Sequence, residues 1–195
     1  IGRVEKDRAE KAARMLAPIF LAALFVVHIV MGYWMEYTPS GDNFMLYNGS
    51  QMLARDGNFD AYPDFGLYLS RFSNQWGFLL MLTALFRLLG AWGVTHFFFP
   101  LVVLQAALYV LGMRSALRIA RKLEGARGEI MAMLLMAVCL PLVLAASVLY
   151  TDTFSLPFIL VALDLALCAR DAESAKGQIG YVCLCGVITL LGCQI

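Results

Sequence analysis

Charge is missing from long stretches of this chain. Residues 15–35, 88–113, 130–151 and 177–195 contain no Asp, Glu, Lys or Arg, and 153–169 contains only Asp164. A helix needs about 20 apolar residues to cross a ~30 Å hydrocarbon core, and these runs are close to that length. A soluble domain needs more surface charge than the 15% present here, and a mean hydropathy of +0.74 with 61% hydrophobic residues points the same way. The expected fold is an all-α polytopic membrane protein, because open strands cannot satisfy their backbone groups in lipid. Starting at Ile1 and stopping inside an apolar run at Ile195, the sequence reads as the N-terminal part of something longer.

The span boundaries predicted are 15–35, 92–113, 130–151, 153–169 and 177–195. "WGFLLMLTALFRLLG", 76–90, is apolar with a helical period, but it is short and carries Arg87. If it crossed the membrane, Arg114, Arg118, Arg121, Lys122 and Arg127 would lie opposite the basic N-terminus. Laid along the interface, it leaves that cluster with Arg3, Lys6, Arg8, Lys11, Arg14, Arg170 and Lys176 on the cytoplasmic side. Twelve of the fifteen Lys and Arg residues are then inside, as orientation by positive charge requires. The interfacial reading therefore predicts an outside segment over 36–91, with interfacial helices over 43–54 and 76–90. The first of these begins at a Ser40-Gly41-Asp42 cap, and "RDGNFDAYPDFG" reads as turns.

Two acids stand at helix boundaries on that outer face, Asp42 after the first span and Asp152 after the third. A carboxylate pair at the end of a bundle can act as a general base or hold a divalent cation near a phosphate. Each also has a plainer reading. Asp152 can cap the following helix, with Pro157 in its first turn, and Asp42 has turn and cap character in "PSGDN". Asp164, mid-span, is expected to face the bundle interior, and His28 to bond a neighbouring helix. The five cysteines lack zinc-type spacing and read as small buried hydrophobes. No phosphate-cradling glycine loop, dinucleotide fingerprint or hydrolase elbow is present, and nothing supports nucleic-acid binding.

Three stretches carry a family resemblance. "PSGDNFMLYNGSQMLARDGNF", "RFSNQWGFLLMLTALFRLLG" and "LYTDTFSLPFILVALDLAL" resemble the first outside loop, the following R-x-x-N-x-x-G helix and the Y-T-D/E span of the GT-C superfamily of membrane glycosyltransferases. The nearest flavour is the bacterial glycosyltransferase family 39-like proteins, similar to protein O-mannosyltransferases and lipid A aminoarabinose transferases. The resemblance implies a GT-C-like helical bundle that transfers sugar from a polyprenyl-phosphate donor to a glycan, lipid or protein hydroxyl on the outer face of the cell membrane. It further implies that Asp42 is the catalytic base, that Asp152 contacts the donor phosphate or a divalent cation, and that Arg71 and Asn74 touch substrate. This chain has Asp42-Asn43 where many members carry two adjacent acids, and Phe72-Ser73-Asn74 where the motif often reads Pro-Asn-Asn. Two other classes fit the hydropathy: a transporter or lipid flippase, and a non-catalytic scaffold in envelope assembly.

Overall fold

The computed structural model describes residues 2–35, 41–60, 62–139, 141 and 151–193. Helix α1, Gly2–Met35, joins the charged N-terminal segment and the first apolar run in one rod. Three short helices follow: α2 (Asp42–Arg55), α3 (Pro63–Arg71) and, after a 3-10 turn at Ser73–Gln75, α4 (Trp76–Ala91). Then come α5 (Phe98–Val138), α6 (Thr151–Arg170) and α7 (Ala175–Cys193), and among the described residues there is no strand. Helices α1, α5, α6 and α7 are long and apolar enough to cross a membrane, and α4 is shorter at 16 residues.

α5 is two arms. Gly125 has φ 68° and ψ −159°, a backbone setting open to glycine and costly for a residue with a Cβ. Beyond it the chain folds back, so that Met136 packs in the same apolar cluster as Leu24, Tyr109 and Met113. α1 runs antiparallel to the first arm: Glu5 pairs with Arg127 near one end, while Gly32 abuts Val102 near the other. α6 runs in the same sense as that arm, matched at Gln105–Thr153, Gly112–Pro157 and Arg118–Asp164. α7 returns along α6, with Cys185 Sγ donating to Ala162 O at 3.3 Å.

The two ends of this bundle differ. One holds ion pairs that tie rods together: Glu10 to Arg121, Arg121 to Glu129, Arg118 to Asp164 and Lys122 to Asp171. The other is covered by α2, α3 and α4. Phe78, Leu79, Leu82 and Phe86 of α4 recur every three to four residues and are fully buried against Leu46 of α2 and Tyr68 and Leu69 of α3. Burying each such side chain contributes roughly 1.5–3 kcal/mol. This core closes on Leu101 and Phe154, in the first turns of α5 and α6. α4 packs chiefly against α2 and the 3-10 turn before it, and reaches the long helices through Leu101 and Phe154.

Several expectations are corrected. Ser40 lies outside the described residues, and α2 starts at Asp42 behind Gly41, φ 56°, with no side-chain cap bond. The stretch read as turns ends in α3, which opens on Pro63, where the missing N–H costs nothing. The second span starts at Phe98 rather than residue 92, because Gly93, φ 82°, turns the chain there. Pro157 falls in the second turn of α6 rather than its first. The third predicted span, 130–151, is described only up to Cys139 and at 141 and 151. Asp164 is 3% exposed and faces Arg118 and Lys122, and His28 is fully buried against Tyr109, ring centroids 4.7 Å apart.

Candidate functional site

The start of α6 is pinned from two sides. Gln105 Nε2 donates to Thr153 Oγ1 at 2.9 Å, and Pro157 sits so close to Gly112 that a Cβ there would lie 2.8 Å from the proline Cα. The start of α4 is pinned to the same place, since the buried rings of Phe78 and Phe154 pack at 5.1 Å. The 3-10 turn that leads into α4 therefore carries Asn74 and Gln75 over the first turn of α6.

Between that turn and the α6–α7 pair lies a cavity of about 700 Å³. Its polar end is made by Asn74, Gln75, Thr151, Asp152 and Ser155. From there it follows one face of α6 through Ile159, Ala162, Leu163 and Ala166. Positions 152 to 166 at helical spacing cover ~21 Å along the axis, most of a bilayer core. α7 packs closely along one edge of this furrow: Cys185 Sγ reaches Ala162 O, and a Cβ at Gly192 would lie 2.9 Å from Phe158 Cβ. The result is a slot with a polar head and an apolar length.

Among the four residues singled out from sequence, Asn74 and Asp152 meet in this wall. Asp152 is exposed in the first turn of α6, where the helix dipole favours its charge. Asp42 and Arg71 do not line the cavity. Asp42 is exposed in the first turn of α2, and Arg71 is exposed in the last turn of α3, one turn before Asn74. The chain turns at Phe72, φ −119° and ψ 61°, so that Asn74 lines this wall and Arg71 does not.

Gln75, Thr151 and Ser155 were missed by sequence reasoning. Their signal was the clustering of polar residues, "SNQ" and "TDTFS", at helix starts in a chain otherwise poor in them. Gln75 is 7% exposed, and its Oε1 accepts no hydrogen bond among the described residues. Ser155 Oγ donates to the Asp152 carbonyl at 3.1 Å, leaving the Asp152 carboxylate to the cavity.

A divalent cation would find one carboxylate here, with hydroxyl and amide oxygens around it. Among the described residues no three His, Cys, Asp or Glu side chains gather as a metal set. That donor set suits Mg²⁺ only where a substrate phosphate completes the shell. No protein-family model, curated protein or solved structure matches the chain.

Proposed function

We propose that the chain is part of a membrane glycosyltransferase that takes sugar from a polyprenyl-phosphate-linked donor and gives it to an acceptor hydroxyl with inversion. One observation carries this reading: the slot along α6 has a polar head at the bundle's end and a long apolar body. A lipid phosphate sugar has the same division. Its polyprenyl chain would lie along Ile159, Ala162 and Ala166, and its phosphate and sugar would face Asn74, Thr151 and Asp152. Positive-charge orientation puts the ion-paired end in the cytoplasm and this head on the outer face.

The chemistry needs a base and charge stabilisation. The acceptor hydroxyl is a weak nucleophile at neutral pH, so its proton must pass to a carboxylate as the new oxygen–carbon bond forms. The bond from the anomeric carbon to the phosphate oxygen breaks with its electron pair, and the lipid phosphate departs on the opposite face. Asp42 is the base in this reading, reaching the acceptor from the edge of α2, and Asp152 orients the donor head. A cation held at Asp152 would supply neutralisation of the leaving phosphate.

The test is transfer of radiolabelled sugar from a panel of polyprenyl-phosphate sugars by the full-length protein in liposomes. Asp42→Asn should lower the rate ~10²–10⁴-fold while leaving expression and unfolding temperature unchanged, and Asp152→Asn should raise the donor concentration needed. A full transfer rate from folded Asp42→Asn would refute the assignment of the base.

A further inference from the structure

A second cavity, about 860 Å³, lies between α2, the start of α3, the C-terminal half of α4 and the loop that follows it. Arg87 stands at its wall with Phe44, Phe65, Phe86, Phe97 and Val94. The guanidinium is fixed by one bond, Nη2 to Leu53 O at 3.0 Å. Among the described residues no carboxylate pairs with it. Arg55, also in the wall, is already neutralised: its Nε and Nη2 hold both oxygens of Asp56 at 2.8 and 2.7 Å. The cleft thus offers one unneutralised cation with donors to spare, beside apolar and aromatic walls.

Its depth is marked independently. Val94, Thr95 and Phe97 line it just before α5 begins at Phe98, so the cleft opens at the level where that rod would enter a bilayer. Exposed aromatics ring the same level: Trp34 is 79%, Trp92 72% and Tyr33 62% exposed, and Tyr33 packs edge-on to Phe99 at 6.2 Å. Trp and Tyr at such a boundary are characteristic of headgroup depth. A cation there faces lipid phosphates, and a planar guanidinium takes a phosphate by two parallel bonds.

We propose that this cleft binds one anionic phospholipid, its phosphate on Arg87 and its acyl chains against Phe86, Phe97 and Val94. Charge favours an anionic headgroup, because a zwitterionic one brings its own cation to a site with no carboxylate among its described lining residues.

The experiment is native mass spectrometry of the full-length protein in neutral detergent, titrated with phosphatidylglycerol or phosphatidylcholine. One phosphatidylglycerol per chain should be retained, at least about fivefold more tightly than phosphatidylcholine. Arg87→Gln should bring the two lipids level, and Arg87→Lys should keep part of the preference. Gly90→Leu tests the walls: a Cβ there meets only Phe97 Cζ, at 4.0 Å, so the leucine should fill the cleft and release both lipids. Equal binding of the two lipids by wild type would overturn the proposal. So would phosphatidylglycerol binding at wild-type strength by Arg87→Gln that unfolds at the wild-type temperature. If Arg87→Gln fails to fold, unchanged binding by Gly90→Leu overturns it alone.

Discussion

Gly112→Ala isolates the contact on which the candidate site is built. At Gly112 an added Cβ would lie 2.8 Å from Pro157 Cα and 3.1 Å from Pro157 Cβ. The nearer atom is backbone, so no rotamer change relieves the clash, and α5 and α6 must separate. Two effects compete. Alanine in a helix is better than glycine by roughly 0.5–1 kcal/mol, whereas overpacking a close contact costs about 1–3 kcal/mol. The clash wins, for a net loss of ~0.5–2 kcal/mol, or about 1–8 °C at 2–4 °C per kcal/mol for a chain of this length. Gly66→Ala on α3 is the control, because a Cβ there meets nothing within 4 Å. It should gain up to ~1 kcal/mol. Thermal unfolding of both variants in one detergent measures the difference. Gly112→Ala at or above the wild-type temperature would mean that α5 and α6 are not packed this closely.

Asp164→Asn should be destabilising, because it strands Arg118, now 3.2 Å from the carboxylate, while Lys122, 4.0 Å away, keeps Asp171 at 3.4 Å. Losing one partner of a buried pair costs about 3–5 kcal/mol, but Arg118 is 49% exposed and can turn its head outward, which reduces the loss to roughly 1–3 kcal/mol. Thermal unfolding should show this loss, and Arg118→Leu added to Asp164→Leu should restore most of it; a single variant as stable as wild type would show the pair is idle. The side-chain hydrogen bond from Arg55 holds the Asp56 carboxyl below its ordinary range. A folded pKa below the unfolded value contributes stability above the unfolded pKa, and that contribution is lost as pH falls through the folded one. The carbon NMR titration of Asp56 should therefore have its midpoint below about 3.9, and should return toward that value in Arg55→Gln. A midpoint at or above it in the wild type would show that the pair does not form in solution.

The long apolar helices were legible because lipid tolerates little charge over the length of a span. α6 and α7 fall within two residues of the runs 153–169, which holds Asp164 alone, and 177–195. α3 was not legible, since Pro63 and Asp64 read as turn residues, although Phe65, Tyr68 and Leu69 sit at the spacing of a buried helix face. Gly125 was hidden as well. One glycine inside "KLEGARGE" is tolerated by a helix, and only the pairing of Arg121 with Glu129 across the bend reveals a reversal. At the site, local similarity named Asn74 and Asp152 separately. Their meeting depends on Phe78 packing against Phe154, a contact between residues distant in sequence that no short motif encodes.

The two ends of the bundle hold their charges differently. At one end five acids are answered by a cation on another helix or across the bend: Glu5 by Arg127, Glu10 and Glu129 by Arg121, Asp164 by Arg118, Asp171 by Lys122. Those pairs register α1, both arms of α5 and α6, so substitutions there act first on the fold. At the other end Asp152, Arg71 and Arg87 form no ion pair among the described residues. The layer carrying Arg71 and Arg87 is held instead by apolar burial and by neutral bonds such as Ser50 Oγ to Leu79 O at 3.1 Å. Charge at that end therefore does little to hold the fold and can meet a ligand. Removing Asp152 should cost no more than the ~0.3–1 kcal/mol of its helix-end charge and act chiefly on donor binding, whereas removing Asp164 should act chiefly on the unfolding temperature.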